Sequence, residues 1–385
     1  MRRLLLWACL LLAVALVSPL FAQSAGSTSA NPSREPSLEQ LAEAARKARQ
    51  DGLFPEAEKL YREGVALKSD WIEGWGNLGI ILFDSDRPAE AAEAFRHLTR
   101  LQSENPDGWA LLGLSDYQAR QYDEALSCLA RALSIGMPSS SKLAGLARIH
   151  AAYLLSREGR FDAALLTISG QVRIDAFNRR LEQAFGIAVL RLPYLPEEVP
   201  EQYRQTVAIA GKAAALASAE KLDEALPVFE ELVREFPSVP QVHYAFGTFL
   251  IKVDRRAAIE QFRQELVVTP SHLGAHLRLA MTLWTEDQPE EALTYAQRAV
   301  ELEPRSPAAL TLLGRILLSE GQTEASIEKL EAAYALEPSS SEVLLALQRA
   351  YSRAGRQEDA ARIREAFLQL QQQSQETSSR TPGSR

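Results

Sequence analysis

Apolar residues recur along most of the chain at steps of three and four, in segments of helical length separated by short polar turns. That spacing sets them on one face of an α-helix rather than along a strand. The segments come in pairs. Gly74–Phe83 and Ala89–Arg100 flank the polar run Asp84-Ser85-Asp86-Arg87-Pro88, which predicts a helix, a turn and a second helix. No β-branched alternation runs long enough to predict a sheet.

One pair is written twice. Trp75, Leu78, Gly79, Ala91 and Phe95 recur, each at the same offset, as Trp109, Leu112, Gly113, Ala125 and Leu129. Gly79 and Ala91 are expected where the two helices cross, because only small side chains let backbones approach closely. Trp75 and Phe95 are expected to fill the space around that contact. One such hairpin cannot bury its apolar face alone, so neighbours must stack.

The pattern resembles the tetratricopeptide repeat, a 34-residue helix–turn–helix whose length matches the offset between the two copies. Its second-helix entry (aromatic, any residue, Glu, Ala) stands here as Tyr122-Asp123-Glu124-Ala125, with related forms at Phe54-Pro55-Glu56-Ala57, Phe161-Asp162-Ala163-Ala164 and Leu222-Asp223-Glu224-Ala225. The closing proline appears as Pro237, Pro270, Pro304 and Pro338. The resemblance implies an all-α fold: a right-handed superhelical solenoid of antiparallel helix pairs, about nine hairpins, some degenerate.

In order, residues 1–22 read as a secretory signal: Arg2 and Arg3, the apolar run Leu4–Val17, then a breaker and Ala22. The run is short of the roughly 20 residues of a spanning helix; the alternative is an uncleaved segment that anchors the protein to a membrane. Residues 23–37, small and polar, read as a flexible linker. A first array covers 38–172. Its first hairpin, 38–71, is degenerate, with Leu41, Ala44 and Ala45 at the Trp, Leu and Gly places and Gly52 in the turn. Units 72–105 and 106–139 follow. The period then slips, since Ala164 comes later after Ala125 than the repeat length allows, and the fourth hairpin, about 142–170, closes at Gly170.

Residues 173–205 are expected to divide the chain. Asp175–Leu192 reads as an extra helix with Phe177, Leu181, Phe185 and Ile187 as its apolar stripe, and the proline-rich stretch 193–200 reads as a loop that would lie over a pocket. The second array, 206–370, has units at about 206–239, 240–272, 273–306, 307–340 and 341–370. In the 240–272 unit the turn is one residue short. In the 307–340 unit Ser326 replaces the crossing alanine. Residues 371–385 read as a disordered tail.

The net charge is −8, and −10 once Arg2 and Arg3 leave with the signal. That argues against nucleic acid and anionic membrane surfaces as partners. Cys128 is the one cysteine after the signal, so no internal disulfide forms there, and its place in a second helix reads as a buried small apolar residue. No glycine-rich phosphate loop, HExxH, CxxC or GxSxG occurs. Neither enzymatic activity nor a cofactor is expected. His272 and His276 have a spacing that can hold a metal, but His243 and His276 fall where Trp75 and Trp109 stand, which reads as packing, and no metal is expected.

In the repeat family the first helices line a concave groove, and the resemblance implies that the second, fifth, ninth and twelfth residues of each unit face it. Carried onto this chain, the groove residues include Arg46, Arg49, Phe83, Leu114, Tyr117, Tyr153, Tyr244, Met281, Trp284, Arg315 and Arg349. Phe83, Tyr117, Tyr153, Tyr244, Met281, Trp284, Arg315 and Arg349 are the candidate partner contacts; the large apolar ones either mark a binding surface or pack on the next repeat. The carboxylate clamp of some family members is poorly matched, since Ala42 and Arg46 stand at its places and Asn77 alone fits. The expected function is a non-enzymatic scaffold or assembly factor of the cell envelope, in the periplasm, with a protein or peptide in the groove. The alternative is a carbohydrate-binding accessory module for envelope polysaccharide export or degradation.

Overall fold

A computed structural model describes residues 36–138, 140–169 and 178–380. The signal, most of the linker, Gly170, the start of the extra helix with Phe177, and 381–385 lie outside the described residues. The described residues hold nineteen helices and no strand. The chain is an all-helical repeat solenoid. Among the described residues no helix is long and apolar enough to cross a membrane.

The chain divides into two compact units between Ala225 and Leu226, inside one helix. The first unit contains α1 (Leu38–Gln50), α2 (Phe54–Leu67), α3 (Ile72–Asp84), α4 (Pro88–Leu101), α5 (Pro106–Gln118), α6 (Tyr122–Ile135), α7 (Lys142–Arg157), α8 (Phe161–Ser169), α9 (Arg179–Val189) and α10 (Glu201–Ser218). Helix α11 (Leu222–Glu235) carries the division. The second unit contains α12 (Val242–Leu250), α13 (Arg255–Val268), α14 (Leu273–Thr285), α15 (Pro289–Leu302), α16 (Pro307–Ser319), α17 (Thr323–Leu336), α18 (Ser341–Arg353) and α19 (Gln357–Arg380).

The helices cross where the small residues stand. A Cβ on Gly79 would lie 2.6 Å from the Phe95 ring, and one on Gly113 would lie 2.7 Å from Leu129. Gly247 meets Phe262 and Gly314 meets Leu330 in the same way. Ala91, Ala125 and Ala258 are fully buried opposite the first three of these glycines. Opposite the fourth, the Ser326 hydroxyl donates to the Gly314 carbonyl at 2.7 Å, so the polar atom is satisfied inside the crossing.

Most hairpin turns use one residue in the left-handed region. Gly52, Asp86, Arg120, Gly159, Glu220, Asp287, Gly321 and Gly355 all have φ between 59° and 78°. Around each the last carbonyls of the first helix are capped from beyond the helix end: Arg87 N–H donates to Leu82 O and Asp86 N–H to Phe83 O. The 240–272 hairpin, one residue short, has no left-handed residue in its turn, and its first helix, α12, has only nine residues. The buried Glu265 carboxylate of α13 caps the start of α12, accepting from Gln241 N–H at 2.9 Å and Tyr244 N–H at 3.2 Å.

Three sequence expectations change. Residues 173–205 do not divide the chain; α9 packs against α7, α8 and α10 within the first unit. Helices α9 and α10 touch backbone to backbone: a Cβ on Gly186 would lie 2.0 Å from Val207 O, and one on Gly211 would lie 1.9 Å from Glu182 O. An apolar stripe predicts a helix but not its partner, and these two glycines choose α10. The terminal helix also runs on to Arg380, where composition predicts an unstructured tail after Leu370. Gln371–Arg380 contains neither glycine nor proline, and its glutamines are good helix formers. Cys128 is half-buried rather than buried, with its sulfur 4.0 Å from Asp116 Oδ2.

Candidate functional site

The first helices of the first unit bring Phe83 from α3, Leu114 and Tyr117 from α5, His150 and Tyr153 from α7, and Arg180 and Gln183 from α9 around a cavity of about 270 Å³. Pro196 and Glu197 line it from the loop after α9. The loop is held by Leu195 and Val199, both buried, and by Glu198 Oε2, which accepts from Leu195 N–H at 3.0 Å. Two residues of the proline-rich stretch, Pro196 and Glu197, thus stand at this cavity.

Inside the cavity the aromatic rings brace one another. His150 meets Tyr117 edge-on at 4.7 Å and Tyr153 edge-on at 6.0 Å. Tyr153 is buried, and its hydroxyl donates to Arg180 O at 2.8 Å. The His150 Nδ1 lies 2.8 Å from Leu146 O, so Nδ1 carries the proton and Nε2 is left as an acceptor. Burial holds the His150 ring at about 4, so it is neutral at ordinary pH. Burial, and then the charge of Glu197, push the Tyr117 phenol well above its usual range. Among the described residues the Tyr117 hydroxyl, the Arg180 guanidinium and the Glu197 carboxylate make no hydrogen bond or ion pair with another side chain.

A second cavity, of about 550 Å³, lies in the second unit between α14, α16 and α18. Trp284, Arg315, Leu345, Arg349 and Arg353 line it, with Glu342 the single acid. Arg315 lies over the Trp284 ring, 5.0 Å from its centre, and pairs with Glu342. Trp284 Nε1–H donates to Ser319 Oγ at 3.0 Å.

Of the eight candidate contacts, Phe83, Tyr117 and Tyr153 thus share one cavity, and Trp284, Arg315 and Arg349 share another. Tyr244 and Met281 line neither. The Tyr244 ring packs 4.7 Å from His272 and 5.9 Å from Phe262, and Met281 is half-buried. Asn77, the one match to a clamp, is already engaged: its Oδ1 accepts from Arg49 and its Nδ2 donates to Glu73 O at 3.0 Å. The sequence reading missed His150, Arg180 and Glu197. His150 stands three residues before Tyr153, one turn away on the same face, which was the signal available.

The equivalence of His243 and His276 with Trp75 and Trp109 holds in detail. Each ring nitrogen reaches the carbonyl six residues back: Trp75 to Ser69 and Trp109 to Ser103, both at 2.8 Å, His243 to Pro237 at 3.0 Å and His276 to Pro270 at 2.9 Å. His272 is the N-cap of α14, its Nδ1 accepting from Ala275 N–H at 2.9 Å. The pair thus does two separate structural jobs. At Cys128, burial first and the Asp116 carboxylate next push the thiol up to about 12, which leaves it a poor nucleophile.

A sequence model described as a tetratricopeptide repeat matches residues 77–140, 254–307, 277–341 and 311–374. Tetratricopeptide repeats are thus detected over those residues. Human protein O-mannosyl-transferase TMTC3 is 22% identical over 249 residues, covering 60% of this chain and 26% of that protein, so the chain spans about a quarter of its length. Among solved structures, MamA 41-end from Desulfovibrio magneticus RS-1 is 23% identical, covers 44% of this chain and 97% of that one, and has a TM-score of 0.42. YrrB, described as a TPR protein with an unusual peptide-binding site, is 21% identical, covers 44% of this chain and 89% of that one, and has a TM-score of 0.38.

Proposed function

We propose that this tetratricopeptide-repeat chain is a non-enzymatic scaffold that holds an extended protein segment against the first helices of its first unit. One observation carries the reading. A cavity walled by Phe83, Leu114, Tyr117 and Tyr153 opens beside three polar groups, on Tyr117, Arg180 and Glu197, that have no side-chain partner among the described residues. An apolar well rimmed by unspent polar groups suits one anchoring side chain and the backbone around it. Sugar binding would use open aromatic faces, and two groove rings are already engaged, Tyr117 with His150 and Trp284 with Arg315, which favours a peptide over a glycan.

The test is selection of a bead-displayed random peptide library on the purified chain and on Tyr117→Ala, with circular dichroism to show that both are folded. The expected result is a pool rich in large apolar residues that the variant no longer retains. A pool retained equally by both would remove the site.

The envelope setting belongs to the same proposal. It is supported by Arg2 and Arg3 before the apolar run Leu4–Val17 and by the polar stretch after it. In a bacterial host, cell fractionation with amino-terminal sequencing is expected to recover a periplasmic form beginning near Gln23. Recovery from the cytoplasm with Met1 in place would overturn the secreted reading, and recovery from the membrane with Met1 in place would favour an anchor.

A further inference from the structure

The cavity of the first unit holds an oriented acceptor among apolar walls. His150 Nδ1 carries the ring proton, because the atom 2.8 Å away is the Leu146 carbonyl oxygen of its own helix. With the ring neutral, Nε2 has a lone pair and can only accept. Tyr117 and Tyr153 both meet the ring edge-on, so packing fixes its orientation as well as the hydrogen bond. The ring lines the cavity and keeps part of its surface open. The Tyr153 hydroxyl is engaged with Arg180 O, and among the described residues no donor meets Nε2. An acceptor set between Phe83, Leu114 and Leu146 is costly to leave bare and rewards a donor that reaches it.

The surroundings limit which donor fits. The volume of about 270 Å³ falls below the roughly 300–1,000 Å³ of pockets that enclose a drug-sized molecule, so the cavity takes one large side chain. Serine or threonine would leave the space between the walls empty. Lysine or arginine would bring a second positive charge to a ring that already feels the Arg180 guanidinium. Aspartate and glutamate have no proton to give at ordinary pH and would face Glu197. Tryptophan carries its N–H on the side of a larger ring system and not at its tip. A phenol meets every condition: it is neutral, its O–H stands at the end of the ring, and the ring can pack edge-to-face against Tyr117.

We propose that the anchor of the bound segment is a tyrosine, whose phenol O–H donates to His150 Nε2 while its ring packs among Phe83, Leu114 and Tyr117. This rests on the scaffold reading and names what the same site selects. Phenylalanine fills the same space but leaves Nε2 unpaired and cut off from water, so the site distinguishes the two by one hydrogen bond.

The experiment uses the full-length chain and the same bead-displayed random peptides, selected on wild type and on Tyr117→Ala. The wild-type pool is expected to share one tyrosine among its large apolar residues. One selected peptide is then made with that tyrosine, with phenylalanine, and with O-methyltyrosine, which keeps the phenol oxygen and removes its proton. Fluorescence anisotropy measures the three affinities on wild type and on His150→Phe, which keeps an aromatic ring and removes both nitrogens; circular dichroism checks its fold. Wild type is expected to bind the tyrosine form about tenfold more tightly than either analogue, and His150→Phe to bind the tyrosine and phenylalanine forms within about twofold of each other. A Tyr117-dependent pool without a shared tyrosine, or equal affinities of the three forms on wild type, would overturn this inference and leave the scaffold reading standing. A preference for tyrosine that His150→Phe keeps would also overturn it, since another group would then accept the phenol proton. Should His150→Phe not fold, His150→Leu takes its place and the same two comparisons decide. A pool that Tyr117→Ala retains equally, or no selected sequence at all, would overturn both.

Discussion

The two cavities are built on the same register and have opposite interiors. In the units at the first cavity, 72–105 and 106–139, the ninth and twelfth places of the first helices hold Ile80, Phe83, Leu114 and Tyr117, whereas the 38–71 hairpin has Arg46 and Arg49 there. In the units at the second cavity, 273–306, 307–340 and 341–370, they hold Met281, Trp284, Arg315, Leu318, Arg349 and Ser352. With aromatic and aliphatic residues the face closes on itself, rings against rings, and a neutral histidine fits among them. With arginines it stays open, because each guanidinium must find an acceptor or water. A repeat fixes where a side chain points; the residue placed there decides whether that point becomes packing or a docking surface.

The largest test of this contrast is to break the first cavity without touching the second. Gly211→Ala puts a methyl 1.9 Å from the Glu182 carbonyl oxygen, and both groups are backbone on packed helices. Neither can rotate away, so α9 must move from α10. We expect a loss of about 3–4 kcal/mol in the stability of the first unit, read by chemical denaturation. The Arg180 and Gln183 wall would go with it. Gly79→Ala, which meets only the Phe95 ring, should cost clearly less, about 1–3 kcal/mol. Equal losses would mean that α9 and α10 are not locked.

The next test uses pH, which should act on the first cavity through His150. A base held at about 4 against a usual 6.5 binds its proton less readily folded than unfolded. Its contribution is therefore intact above 6.5 and drains away as pH falls from 6.5 toward 4. The difference in stability between wild type and His150→Gln, followed across that range, should narrow by roughly 2–3 kcal/mol. A difference independent of pH would show that folding does not lower the proton affinity of His150. A smaller effect is expected of Tyr153→Phe, which keeps the ring and removes only the hydroxyl bond to Arg180 O, at about 1 kcal/mol.

Much of this was legible in the sequence. The crossing residues Gly79 and Ala91, the place of Ser326 and the equivalence of His276 with Trp109 all follow from the repeat period, because a period fixes which residues share a place. The partner of α9 was not legible. Its stripe of Leu181, Phe185 and Ile187 fits any apolar groove, and only the backbone approach at Gly186 and Gly211 selects α10. The same holds for the site. The register put Phe83, Tyr117 and Tyr153 on one face, while Glu197 enters from a loop with no repeat to index it. Tyr244 keeps the register, as His243 beside it does, but its ring packs on His272 and Phe262 and lines neither cavity.

The smallest test concerns the turns and again sets one unit against the other. Arg120 occupies the left-handed turn between α5 and α6 at φ 62°, where Gly321 and Gly355 serve in the second unit at 78° and 76°. A side chain at positive φ crowds its own carbonyl, which costs about 1–2 kcal/mol, and glycine removes that strain while adding freedom to the unfolded chain worth about 0.5–1 kcal/mol. The balance favours glycine slightly. Arg120→Gly should therefore stabilise the first unit by about 0.5–1 kcal/mol, and Gly321→Arg should destabilise the second by a similar amount. Both are read as shifts of the unfolding midpoint at constant denaturant slope. Arg120 is exposed and the turn hydrogen bonds are backbone, Arg120 N–H to Tyr117 O at 3.0 Å and Gln121 N–H to Asp116 O at 2.8 Å, so neither change disturbs the capping. If Arg120→Gly destabilised the unit, the arginine side chain would have to contribute more on the surface than the strain it brings to the turn.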